Sequence, residues 1–318
     1  MRALICVLAL LLALALPAEA GKEKFWYGQF SFDSKRIVAL GPKLDTLSVW
    51  EVASPGVRKS FTVDAPKIDK MMVALESNIV ALMMQRGGER EFIIIDIETV
   101  TEIARYVGKS NWADHNEVYA LISKHGDKAY AQNSSLLSVL DLPSGQRKTI
   151  DPPGAYFYDV LDERRGWRPG KKTLDIVDWR TPRRLLEIPY GCRMRWTYVS
   201  PRSNVGAILC DHDKMRFVDL VRGKFLAEYR TDQYLNYEEN FFLTQDGLHL
   251  LHRYDHGKCR VVDPWRGRIV GTFPMPPGAH WVEAASGNVV LMRLFEEDND
   301  LRLYDMQTGA FLGKLATD

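Results

Sequence analysis

Histidine, cysteine and the acids are the usual carriers of chemistry, and in this chain their spacing builds no recognisable reaction centre. His249, His252 and His256 fall on or beside one expected strand, where a two-residue period sends 249 and 252 to opposite faces and away from a shared metal. His212 stands between Asp211 and Asp213, and residues 296–300 read EEDND. Either loop offers oxygen ligands to a cation, but neither has the glycine-bearing calcium pattern, and both also read as solvated loops. There is no CxxC pair, haem-attachment motif, GxSxG elbow, phosphate loop, dinucleotide fingerprint or Asp box. The spacing calls for no metal and no cofactor.

Two other groupings suit binding better than catalysis. The first is a series of rings with charges beside them: Trp112 with Asp114 and His115, then Tyr156, Tyr190 with Arg193 and Arg195, Tyr234 and Tyr237, and His280 with Trp281. Such groups hold a peptide, a glycan or a planar ligand by stacking and cation–π contact; they also fill gaps between packed sheets. The second is a set of five cations, Arg164, Arg165, Arg168, Lys171 and Lys172, around Trp167. It reads as an anion-binding patch or, since Asp159, Asp162 and Glu163 partly cancel it, as a solvated insertion.

The elements that must position these groups form a repeat. A β-branched or aromatic run ending in an acid recurs as LSVWE (Glu51), FIIID (Asp96), LSVLD (Asp141), LDIVD (Asp178), MRFVD (Asp219), CRVVD (Asp263) and LRLYD (Asp305), at steps of 45, 45, 37, 41, 44 and 42 residues. Seven copies with a period near that of a four-stranded blade use the whole length and leave nothing over for a second domain. Glycine follows the acid by four residues in DLPSG, DLVRG, DPWRG and DMQTG. The carboxylate accepts the turn's N–H groups and the glycine takes the positive φ that closes a c–d hairpin. Polar a–b turns such as FDSKR, SPRSN and TQDG lie upstream. The third run places Ile93, Ile94 and Ile95 in succession, apolar on both faces, as expected of a strand sandwiched between blades. The fourth copy is short, and its b strand would fall in the polar ERRGWRPGKK, which argues against a strand there.

On these acid-ended c strands, glycine turns and Ser/Asp-type a–b turns, the chain resembles the WD-repeat and YVTN-like superfamily of seven-bladed β-propellers over residues 22–318. It departs from the eukaryotic pattern in lacking the terminal Trp-Asp pair. The resemblance implies an all-β seven-bladed ring with blade 4 atypical, a strands lining a central channel, and the d–a and b–c connections on one face. The first group of rings would then sit at the d–a entries as a funnel around the channel mouth. No spare N-terminal strand is visible, so the ring is expected to close by side-chain packing.

The first twenty residues read as an export signal: Arg2, an apolar run from Ala3 to Leu16, the breaker Pro17, and Ala18-Glu19-Ala20 before a cut after Ala20. The run is shorter than the ~20 residues that span a bilayer, and no later stretch is longer. Residues 21–318 are therefore expected as a single domain in the periplasm or outside the cell. An oxidising compartment permits a disulfide, and Cys192 and Cys210 flank the SPRSN turn at near-symmetric distances; they form either a bridge or two buried thiols. With 42 Lys+Arg against 41 Asp+Glu, the chain lacks the basic surplus that nucleic acid requires. The expected function is a binding or scaffold module, a monomer or weak oligomer, that presents its loop face to a protein, peptide or glycan. The alternative is an enzyme at the channel mouth, a metal-assisted hydrolase or lactonase or a quinoprotein-type oxidoreductase, with Asp69, Asp114, His115 and His280 as its only available groups.

Overall fold

The computed structural model describes residues 25–315 apart from 65–66, 87, 110–117, 133–136, 151–158, 161, 163, 170–171, 179–180, 182, 201, 212, 232–240, 255–256 and 295–299. The described residues hold 28 strands and no helix. They form seven four-stranded antiparallel sheets, each built from consecutive strands a to d. The blades occupy residues 26–62, 68–109, 118–150, 159–189, 194–230, 241–274 and 279–314. Contacts between the a strands of blades 1 and 7 close the ring.

Burial explains why the blades need one another. Ile93, Ile94 and Ile95 are all fully buried, but Ile93 and Ile95 belong to the core between blades 1 and 2, and Ile94 to the core between blades 2 and 3. Similar clusters are shared by blades 4 and 5, 5 and 6, 6 and 7, and 7 and 1. Each such side chain contributes about 1.5–3 kcal/mol when taken from water, and a lone blade would leave one face wet.

The c–d turns form as their residues dictate. Asp219 Oδ1 accepts the N–H groups of Val221 and Arg222, Asp305 Oδ1 those of Gln307 and Thr308, and Asp96 Oδ1 those of Glu98 and Thr99. Gly223, Gly267 and Gly309 take φ of +65°, +63° and +70°, conformations that cost glycine nothing.

Among the described residues blade 7 pairs only with itself, and no strand is exchanged at the seam. Side chains join it to blade 1 instead. Arg293 donates to the carbonyl of Phe25 at 2.7 Å and pairs with Glu283, whose other bond comes from the N–H of Gly28 at 3.0 Å. A Cβ on Gly28 would lie 2.6 Å from Leu291 Cδ2 and 3.1 Å from Glu283 Cγ, so a larger residue there would push both side chains out of the seam.

Blade 4 corrects the sequence reading. Its b strand does form, at Arg165–Pro169, beside an a strand that spans Asp159–Val160 among the described residues. One well-placed ring suffices: Trp167 pairs with Ile176 of the c strand and is 4% exposed in the core shared with blade 5. The arginines beside it point to acids. Arg164 pairs with Asp178 at 2.7 Å and Arg165 with Asp162 at 2.6 Å.

Candidate functional site

The a–b turns of all blades lie on one face around the axis, and short polar residues build them. In blade 6, Thr244 Oγ1 donates to Asp246 Oδ1 at 2.6 Å, and the same carboxylate oxygen accepts the N–H of Leu248. In blade 1, Ser31 and Asp33 repeat this arrangement, with Lys35 supplying the N–H. Burial raises the pKa of Asp33, but bonds from Ser31, Lys35 and Asn78 and the charge of Arg36 outweigh it and hold the carboxyl below its usual range.

These turns also bond one blade to the next. Asn78 donates to Asp33 at 3.0 Å, Ser77 to the carbonyl of Lys124 at 2.7 Å, and Ser200 to the carbonyl of Gln245 at 2.6 Å. Arg165 reaches Asn204 at 2.9 Å, and the hydroxyls of Ser34 and Ser286 lie 2.6 Å apart. The N–H of Gly287 donates to Asp246. A belt of hydrogen bonds fixes this rim of the ring.

Blade 5 breaks the pattern. Where blades 1 and 6 carry Asp33 and Asp246, it carries Arg202. The guanidinium donates to the carbonyls of Phe30, at 2.6 Å, and Ser31, both in blade 1. Blades 5 and 1 are not neighbours, so a bond between their innermost turns must cross the axis. Arg202 therefore spans this end of the central channel and lines a depression of about 160 Å³ together with Phe32, Glu76, Asp162 and Ser203. Burial lowers its pKa to about 10, against the pull of Asp246 and Asp33, and it stays a cation at neutral pH. Sequence reading passed over Arg202. Aligning the turn SFD of blade 1 and TQD of blade 6 with SPR of blade 5 is the signal that finds it.

The residues singled out from sequence fall in several places. Trp112, Asp114, His115, Tyr156, Tyr234 and Tyr237 lie outside the described residues, as does Lys171. His280 and Trp281 are on the a strand Ala279–Ser286 of blade 7, and Arg168 on the b strand of blade 4; only their backbone is described. Tyr190 is 1% exposed in the core between blades 4 and 5, so its ring is a packing group. Arg193 and Arg195 are exposed where the chain enters blade 5. Trp167 is interior, so Arg164, Arg165 and Lys172 do not surround an open ring.

Cys192 and Cys210 are joined by a disulfide with Cα atoms 5.7 Å apart. The register differs from simple hairpin symmetry, because Met194 and not Cys192 stands opposite Cys210 and the ladder shifts beside it. Cys259 is a buried free thiol whose pKa burial pushes up to about 12. His252 is buried between blades 5 and 6, within 2.8 Å of the Tyr229 hydroxyl and stacked on Phe241, whereas His249 faces blade 7. Among the described residues no three His, Cys, Asp or Glu side chains converge as a metal site. Asp69 is exposed on blade 2 and no described catalytic group joins it. No helix among the described residues is long and apolar enough to cross a membrane.

No protein-family model matches the chain, and no curated protein matches it. Solved structures do. KlHsv2 with loop 6CD replaced by a Gly-Ser linker is 12% identical, with 89% of this chain and 93% of that chain aligned and a TM-score of 0.61. Kluyveromyces lactis Hsv2p is 10% identical over the same shares, with a TM-score of 0.60. At that identity the likeness concerns architecture alone, and it agrees with the strand order: the chain is a seven-bladed β-propeller.

Proposed function

We propose that this chain is an exported binding module, delivered to the periplasm or cell exterior by a signal cut after Ala20. Its rigid ring presents the d–a and b–c loop face to a protein, peptide or glycan. The observation that carries this reading is Arg202. It spans the hub at the a–b end and so favours axial approach from the other end, where the resemblance leads us to expect the rings Trp112, Tyr156, Tyr234, Tyr237 and Trp281. The disulfide supports the compartment, since such bonds persist where the medium is oxidising.

The test is affinity capture from the exporting cell with the mature chain and with Trp112→Ala/Trp281→Ala. The variant is expected to lose the specific partner while its melting temperature stays within a few degrees of the parent. A large fall in melting temperature would make both rings packing groups and end the funnel reading. Stoichiometric metal or quinone in the purified protein would replace the module with an enzyme.

A further inference from the structure

A second cavity, of about 340 Å³, opens between blades 6 and 7 on the outer part of the a–b face, away from the funnel. Its size is at the lower end of the ~300–1,000 Å³ range of small-ligand pockets. One wall is the indole of Trp265, 48% exposed. The c–d turn that carries it makes no use of that ring. Only the backbone N–H of Trp265 serves the turn, donating to Asp263 at 2.8 Å, as the N–H of Val221, Gln307 and Glu98 does in other blades. A large apolar ring thus stands half in water where the fold requires none.

The opposite wall is polar and uncommitted. His249 Nδ1 is shielded from solvent and has no hydrogen-bond partner among the described residues. Its backbone serves the a–b turn: the N–H donates to Thr244 Oγ1, and the carbonyl accepts the N–H and the hydroxyl of Thr244. Asn288 and Gln307 line the same space from blade 7. The floor is apolar, from Val261, Val270 and Met306. Gly271 keeps the cavity open: a Cβ there would stand 3.7 Å from Val261 and 3.9 Å from the backbone of Gln307, so a larger residue fits the strand but fills the space.

We infer that this rim pocket is a saccharide site that takes one or two pyranose units. A pyranose has a C–H face that lies against an indole and a perimeter of hydroxyls that each donate and accept. Hydroxyls satisfy both the carbonyl and the NH2 group of the two amides. An aromatic side chain of a peptide would cover Trp265 equally well but would leave the amides unpaired, a cost that selects against it. The site is independent of the funnel and stands or falls without it.

The experiment titrates the mature chain with glucose, galactose, N-acetylglucosamine and chitotriose, with N-acetyltyrosinamide as the aromatic probe, read by saturation-transfer NMR. At least one sugar is expected to bind with a Kd on the order of 1 mM, as a ligand of that atom count allows. Trp265→Ala and Gly271→Leu should each weaken it at least tenfold at near-parental melting temperature, and N-acetyltyrosinamide should not bind. Tighter binding of chitotriose than of N-acetylglucosamine assigns the site to a glycan chain, and equal affinity assigns it to a free sugar. No sugar signal at about 50 mM, binding of N-acetyltyrosinamide in place of sugars, or sugar binding unchanged in both variants overturns the inference.

Discussion

Blades 5 and 6 share a core cluster and the same strand plan, yet they spend their polar residues differently. Blade 6 closes its a–b turn on itself through Thr244 and Asp246, and Asp246 then bonds the next blade through Gly287. Blade 5 holds its turn with the weaker bond from the N–H of Val205 to Ser203 Oγ, at 3.2 Å, and sends Arg202 across the hub. The b strands diverge too. Ile208 in blade 5 and His252 in blade 6 occupy matching places, each facing the preceding blade; the histidine is tolerated because Tyr229 satisfies it and Phe241 covers it. Only blade 5 is stapled by a disulfide. Turn acceptors are what the repeat needs in order to fold, and where one is replaced the new side chain acts between blades that are not neighbours.

The sharpest way to break this contrast is to give blade 5 the residue of its neighbours. Arg202→Asp should destabilise the ring by about 3–5 kcal/mol, because it removes a buried cation and sets a third carboxylate towards Asp33 and Asp246. Arg202→Ala, which removes the bonds without adding a charge, should cost about 2 kcal/mol. Urea midpoints of the two variants measure the difference. Equal costs would mean that the hub is held by hydrogen bonds alone and that charge balance has no part in it.

Next in size is the staple. The bridge closes a separation of 18 residues, for which chain-entropy reasoning gives about 3 kcal/mol. Cys192→Ala/Cys210→Ala should lower the denaturation midpoint accordingly, and reductant should reproduce the loss in the parent but not in the variant. Cys259 is buried with a raised pKa, so it should not exchange with either partner while the ring is folded.

Architecture was legible because it rests on periodic, locally determined chemistry. The Asp-to-Gly spacing specifies the c–d hairpins of blades 3, 5, 6 and 7 by itself, and the doubled apolarity of Ile93 to Ile95 already implies neighbours on both sides. Blade 4 is the exception because the overall polarity of ERRGWRPGKK hides an inward position: Trp167, buried against the blade 5 side, gives the strand its apolar anchor. The sites were harder to read because a side chain's use depends on which distant segment meets it. Tyr190 and Trp281 look alike as aromatic entries, and nothing local says that the first is closed within a core. Arg202 was the exception, detectable by aligning turns, yet that alignment gives the place of the change and not its partner on the far side of the ring.

The smallest expected effect compares turns that keep their acid with the one that lost it. Asp33, Asp141 and Asp305 all have carboxyls held below the usual range. For Asp33, bonds and charge prevail over burial; for Asp141 the main cause is the bond from the Ser144 hydroxyl, and for Asp305 that from Thr308. A group whose folded pKa is depressed adds stability above its unfolded pKa and loses it as pH falls through the folded value. The ring should therefore be insensitive to pH near neutrality and weaken progressively between about pH 5 and 2. Asp305→Asn should flatten part of that slope, since the amide keeps an acceptor for the turn and cannot be protonated in this range. The attraction between Arg202 and the carboxylates of Asp33 and Asp246 is mutual, so Arg202→Ala should lower stability at neutral pH and also flatten part of the acid slope. An unchanged slope in that variant would show that Arg202 does not help to hold the carboxylates of the opposite turns ionised, and would leave the hub held by hydrogen bonds alone.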